Sequence, residues 1–172
     1  GNATGGSVAK RFAREGFTVC VTRRNREKLD PLVSEIKGDG GKVHAFGSDT
    51  RREEQVESLI KYIESEIGPI EVAVYNVGGN VRFGILETTS RVYRKVWEMT
   101  CFGGFLTGRE VAKCMANRER GTIIFTGATA SLRGADGYAA FAGGKHALRT
   151  LAQSMARELG PRGIHVAHVV ID

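Results

Sequence analysis

Tyr138 to Val166 reads YAAFAGGKHALRTLAQSMARELGPRGIHV, and this stretch decides the fold. Ala139, Ala142, Ala147, Leu148, Leu151, Met155 and Leu159 recur mostly at steps of three and four, the apolar stripe of a long helix that Gly160-Pro161 stops. An apolar strand over Ile164 to Ile171 follows at once. The same alternation repeats upstream. GTIIFT at Gly121 to Thr126 reads as a strand, Gly127 to Gly137 as a small-residue loop, and Ser90 to Asn117 as helices. NVGGN at Asn76 to Asn80 breaks a strand over Ile70 to Tyr75, itself preceded by a helix over Arg51 to Ile67. Further back come a strand over Lys42 to Gly47, a helical middle within RRNREKLDPLVSEIKGDGG, a strand over Phe17 to Thr22 and a helix from Ser7 to Gly16. Apolar strands separated by helices predict an α/β fold, a doubly wound parallel sheet covered on both faces.

With 172 residues, 41% of them hydrophobic, the chain is expected to build one core, a single domain spanning 1–172. GNATGG, from Gly1 to Gly6, is a loop that normally follows a strand, and the last residues finish another strand. The sheet therefore reads as truncated at both ends, with its first strand and a C-terminal segment absent. No run of about 18 apolar residues and no charged-then-apolar leader is visible, so neither a membrane span nor a signal peptide is expected. The net charge of +6 comes from 25 basic residues interleaved with 19 acidic ones. That pattern describes solvated faces and an anionic small-molecule ligand better than a nucleic-acid stripe with stacking aromatics. Cys20, Cys101 and Cys114 are odd in number and lack ligand spacing, so they read as reduced, buried thiols of a cytoplasmic protein with no metal site.

Tyr138 and Lys145 lie seven residues apart, nearly two helical turns at about 100° per residue, which places both side chains on one face. An ammonium beside a phenol favours the phenolate, so Tyr138 is the candidate proton donor or acceptor and Lys145 its helper. Gly1, Ser7 and Ala9 at the start of a helix, with Thr4 and Gly5 between, suit a pyrophosphate on backbone N–H groups; an ordinary cap at Ser7 reads equally well. Thr22, Arg23 and Arg24 fall just after a strand, where basic residues would favour a ribose 2′-phosphate, unless this is a solvated loop. Asp49 is placed to meet an adenine edge or to form a turn. Asn76, Val77 and Gly78 would approach a ribose or nicotinamide, or make a plain turn. Thr126, Thr129 and Ser131 carry hydroxyls that could hold a substrate oxygen or satisfy loop backbone.

Taken in order, the glycine loop, Asp49 after a strand, NVGG, the hydroxyl-bearing loop, and Tyr and Lys ahead of ARELGPRGIHV resemble the short-chain dehydrogenase/reductase superfamily over essentially the whole chain. The resemblance implies a Rossmann-type sheet, a nicotinamide cofactor (NADP(H) preferred from the arginines, NAD(H) possible), hydride transfer, and a homo-oligomer, usually a tetramer. Lys145 would then also hold the nicotinamide ribose. The main branch of that family has Tyr-x-x-x-Lys, and its Tyr position here is Phe141; its Ser position is Ala128 and its Asn position aligns best with Thr100. The divergent enoyl-thioester reductases use Tyr, six residues, Lys and Gly, five residues, Ser, one residue, Ala. Tyr138 with Lys145, and Gly1 with Ser7 and Ala9, match those spacings. The further Tyr of that branch is Ala128 here, and VTRRNREKL resembles the main branch, so both stay open. The resemblance implies an NADP(H)-dependent oxidoreductase acting on a carbonyl or enoyl thioester; the alternative is a non-catalytic dinucleotide-binding or oligomer-forming relative.

Overall fold

Across residues 3–171, the part described by the computed structural model, parallel strands alternate with helices. The chain divides into two compact units, one up to Asp49 and one from Thr50.

The first unit runs α1 (Thr4–Arg14), β1 (Thr18–Arg23), a 3₁₀ turn at Arg26–Leu29, α2 (Asp30–Gly38) and β2 (Lys42–Gly47). β1 and β2 pair in parallel, Thr18 opposite Lys42 and Arg23 opposite Gly47. Ala9 and Ala13 of α1 share one face and meet Leu32 and Ile36 of α2 and Val43 of β2 in a small core. Pro31 sits in the first turn of α2, where its missing N–H costs nothing. The start of α1 differs from expectation. Ser7 does not cap the helix: its N–H closes the first helical bond onto Ala3 O at 3.1 Å, so Thr4, Gly5 and Gly6 are already helical. Gly6 is buried, and its lack of a side chain fits that position. Gly1 lies outside the described residues.

The second unit holds α3 (Glu53–Tyr62) with a π turn at Ile63–Ile67, β3 (Val72–Tyr75), α4 (Ser90–Trp97), a π turn at Glu98–Phe102, and α5 (Gly103–Asn117). β4 (Gly121–Gly127), a 3₁₀ turn at Thr129–Ser131, α6 (Ala139–Leu159) and β5 (Ile164–Val170) complete it. Its sheet has the order β3-β4-β5, all parallel, with Tyr75 opposite Phe125 and Phe125 opposite His168. Ile123, Phe125, Ile164 and Val166 pack with Leu106, Val111 and Met115 of α5 and with Leu148, Ala152 and Leu159 of α6. α5 and α6 approach closely at Gly104, where a Cβ would stand 2.5 Å from Leu148 Cδ1. β3 begins at Val72 rather than Ile70, because Ile70 N–H donates to Glu64 Oε1 (2.9 Å) and its carbonyl accepts from Arg118 (2.6 Å). The helical stretch over Ser90 to Asn117 runs without a break but is widened by the π turn, to which Tyr75 donates a hydrogen bond at Met99 O (2.5 Å). All three cysteines are free; Cys101 is buried, Cys20 and Cys114 half-buried, and burial raises the pKa of each thiol.

Candidate active site

In a parallel α/β unit a helix that follows a strand runs back antiparallel to it, so strand carboxyl ends and helix amino ends share an edge. In the second unit that edge brings together Asn76, Val77 and Gly78 after β3, Thr126 and Gly127 at the end of β4, and Lys145 in the second turn of α6. Lys145 is 4% exposed. Its ammonium donates to Thr126 O at 2.7 Å and to Val77 O at 3.4 Å. Burial lowers its pKa from 10.5 to about 8. Gly78 leaves the approach open: a Cβ there would lie 3.5 Å from Lys145 Nζ and from the Phe141 ring. Thr126 Oγ1 reaches Asn76 Oδ1 (2.8 Å) and Tyr75 O (3.1 Å), which locks the loop after β3 to β4. Asn76 and Gly78 themselves are exposed.

The expected pairing of Tyr138 with Lys145 does not form among the described residues. Tyr138 is the residue preceding the first turn of α6, not part of the helix, with φ −110° and ψ 19°, so ideal helical angles do not apply to it. The ring that Lys145 faces is that of Phe141, one turn before it, with Nζ 5.8 Å from the centroid. Tyr138 packs beside Phe141 at 6.5 Å between ring centroids. It belongs to the same apolar cluster as Ala128 and Ala130. The cation that feels the Tyr138 phenol is Arg82, held by Asp136 at 2.9 Å.

Of the candidate substrate hydroxyls, Ser131 is fully buried and its Oγ accepts from Ala128 N–H at 3.1 Å, and Thr126 is buried and bonded as described. Both therefore hold the loop together in this conformation; Thr129 is half-buried. Thr100 lies in the π turn, fully buried, its hydroxyl without a partner and its Cβ facing Gly144. Sequence reasoning overlooked His168. Its ring edge stands against Gly127, Nε2 finds no partner, and burial followed by the charges of Lys145 and Arg149 lowers its pKa. The only signal available was a histidine in an apolar strand, which periodicity alone reads as core.

The cofactor candidates of the first unit share its own strand-carboxyl edge by the same connectivity. Thr4 and Ser7 are exposed on the first turns of α1 and Gly5 is half-buried. Thr22 and Arg23 are the last residues of β1 rather than a loop beyond it, because the ladder continues to Arg23 opposite Gly47. They and Arg24 are exposed, and Asp49 is half-buried.

The family model for short chain dehydrogenases matches residues 2–171. Among curated proteins, 2,3-dihydro-2,3-dihydroxybenzoate dehydrogenase of Bacillus subtilis is 30% identical over 161 residues, 93% of this chain and 61% of that protein. A 2-dehydro-3-deoxy-D-gluconate 5-dehydrogenase of Formosa agariphila is 28% identical over 163 residues, 94% of this chain and 62% of that protein. The chain thus spans about three fifths of the length of these curated relatives. Among solved structures, a short-chain dehydrogenase from Rhodopseudomonas palustris superposes with a TM-score of 0.94 at 56% identity, covering 98% of this chain and 79% of that one.

Proposed function

Because the chain belongs to the short chain dehydrogenase family, we propose that it serves an NAD(P)(H)-dependent oxidoreductase acting on a small molecule, with hydride transfer to or from a carbonyl or an enoyl thioester. The observation that carries this reading is Lys145, a buried ammonium anchored on the Thr126 carbonyl at the end of β4 and the Val77 carbonyl after β3 and bordered by the exposed, side-chain-free backbone of Gly78. A ribose diol suits such a donor beside open backbone, so these residues fit the cofactor the family implies. When bound, the nicotinamide supplies or takes the hydride. Lys145 and the Asn76–Gly78 segment would hold its ribose. Gly1, Thr4, Gly5 and Ser7 would take the pyrophosphate, and Thr22, Arg23, Arg24 and Asp49 the adenosine end. The exposed arginines support NADP(H) over NAD(H).

Tyr138 is the proton donor in this reading. It is the phenol in the cluster that contains Phe141 and Ala128, the positions where the main branch has its Tyr and Ser. Thr126, Thr129 and Ser131 would orient the substrate oxygen. Matching Tyr-x6-Lys spacing supports the enoyl-thioester branch; Phe141 against Lys145 supports a main-branch geometry that has lost its hydroxyl. Thr100, Phe141 and Ala128 together also favour a second reading, a non-catalytic dinucleotide-binding relative. A single dinucleotide-binding domain, a cytoplasmic location and a homo-oligomer complete the proposal. The stacked rings of Trp97, Phe102 and Phe105 along α4 and α5 support the last.

The test is titration with NADPH and NADH followed by oxidation with a crotonyl thioester and a simple diketone, for wild type and Tyr138→Phe. Turnover that falls at least about 100-fold in Tyr138→Phe with cofactor affinity unchanged is the expected result. Full activity in Tyr138→Phe sinks the assignment of Tyr138, and binding without turnover across all substrates establishes the non-catalytic reading.

A further inference from the structure

His168 has no part in the proposed reaction, yet it lies at the same sheet edge as Lys145. On β5 it alternates onto the face of Ile164 and Val166, both buried in the main core, and it stands in register with Phe125 of β4. α6 packs on β5 and on the Thr129–Ser131 turn, and its Lys145 and Arg149, one helical turn apart, are the charges that act on the imidazole. No carboxylate among the described residues offsets them. Burial first, and then these two cations, hold the ring below the usual histidine pKa, so it is neutral at pH 7.

A neutral imidazole carries one N–H and one bare nitrogen. Nε2 is buried and has no partner, and an unmatched buried polar atom weakens a fold. Ser131 supplies the complement. Its Oγ is fully buried and accepts from Ala128 N–H at 3.1 Å, which leaves its hydroxyl proton without an acceptor among the described residues. The two groups meet at Gly127. A Cβ there would overlap His168 Nε2 and stand 2.9 Å from Ser131 Oγ, so the nitrogen and the oxygen are about 5 Å apart or less, within the span of one bridging water or of a small ring rotation. The missing side chain at Gly127 is what admits the ring.

We propose that Ser131 and His168 form a buried hydrogen-bonded pair, the hydroxyl donating to Nε2 of the Nδ1-protonated ring directly or through one water, and that this pair fixes the Thr129–Ser131 turn. His168 is thereby a positioning residue. It acts through Ser131, whose Oγ holds the Ala128 N–H, and Ala128 belongs to the apolar cluster of Tyr138 and Phe141. A hydroxyl that already accepts a hydrogen bond is a better donor, so the two bonds reinforce each other. Ser131 then orients a substrate oxygen only through the turn it closes. That last consequence rests on the oxidoreductase reading; the hydrogen bond does not.

The test is long-range 1H–15N NMR of the histidine rings through a pH titration, with the His168 signals identified by their loss in His168→Gln. The expected result is an Nδ1–H tautomer at neutral pH and a midpoint that rises by about 0.4–1 pH unit in Ser131→Ala, because a hydrogen bond to the neutral ring has gone. An Nε2–H tautomer in the wild-type protein overturns the proposal whether or not Ser131→Ala folds. So does a midpoint in Ser131→Ala that stays put or falls. With NADPH and a substrate that turns over, His168→Leu should lower kcat several-fold at unchanged cofactor affinity, and His168→Gln, which keeps an acceptor near Nε2, should restore it. Equal loss in both variants overturns the positioning role. Absence of turnover in wild type alongside the expected tautomer and shift supports the pair and counts only against the oxidoreductase reading.

Discussion

Replacing Lys145 by methionine keeps an unbranched apolar stem of similar length and deletes the buried ammonium, which isolates the energetic consequence of that charge. In the folded protein Lys145 titrates at about 8 against 10.5 for an ordinary lysine, because burial penalises its charged form. The unfolded chain therefore holds a proton at this position over a pH range in which the native chain has released it. Stability rises with pH wherever the unfolded state binds more protons, so this group stabilises the fold progressively from about pH 8 to 10.5. Below pH 8 both states are protonated and the buried charge costs up to about 3 kcal/mol. Integrating between pH 7 and 9.5 gives a gain of about 2 kcal/mol, roughly 30-fold in the folding equilibrium. Lys145→Met lacks this gain. Its lost hydrogen bonds to Thr126 O and Val77 O cost about 1–3 kcal/mol, and the difference between ammonium and amine as donor is already contained in the shifted pKa, so the pH comparison reads the linkage alone. The cysteine thiols also cancel, since both proteins contain them. His168, which faces Lys145, is held below its usual pKa and titrates below this window. The assay is urea unfolding followed by Trp97 fluorescence for both proteins at pH 7 and 9.5. The wild type should gain about 2 kcal/mol relative to the variant as pH rises. Parallel behaviour within about 0.5 kcal/mol would refute the claim that Lys145 is buried as a strained cation.

Leu148→Ala should lower stability by about 3–4 kcal/mol, because Leu148 is fully buried against Gly104 and a closely approached α5 cannot move in to fill the gap. A loss under about 1 kcal/mol in urea unfolding would mean that α5 and α6 do not hold each other at that point. Arg118→Met should cost about 3 kcal/mol, since it strands Glu64 and removes the donor from Ile70 O. Adding Glu64→Gln to it should recover part of that loss, and no recovery in the double-mutant cycle would show the ion pair to be idle.

Much of the fold was legible because its strands are apolar runs bounded by glycine and its helices carry a clean stripe. The helix from Ala139 stops at Leu159 as the Gly160-Pro161 signal requires, and β2 keeps its bounds of Lys42 to Gly47. The errors fall where a side chain competes with backbone. Glu64 and Arg118 take up both backbone groups of Ile70 and shorten β3, a pairing of residues 54 apart in sequence that no local window contains. The π turn at Glu98–Phe102 was not anticipated: its extra residue rotates the stripe by about 100°, a change of phase that a reading of Ser90 to Asn117 as helices passes over. Tyr138 and Lys145 illustrate the limit of a spacing rule. Seven residues imply one face only if both ends are helical, and Tyr138 stands just outside the first turn.

The presence of Lys145 says less about chemistry than its place in a motif suggests. Its ammonium ties the carbonyl at the end of β4 to the one after β3, an edge that Thr126 also fastens through Asn76 and Tyr75. That role survives without a phenol, and it accounts for a buried lysine facing Phe141. A charge that costs the fold about 3 kcal/mol below pH 8 is nevertheless an extravagant fastener, since a neutral side-chain amide, with two N–H donors, could bridge two carbonyls at lower cost. A diol or anion arriving at exposed Gly78 would recover part of that cost by replacing lost hydration, which a neutral fastener could not exploit. On the proposed reading the charge at Lys145 serves the cofactor ribose as well as the two strand ends it ties, a role that does not depend on whether Tyr138 completes a catalytic pair.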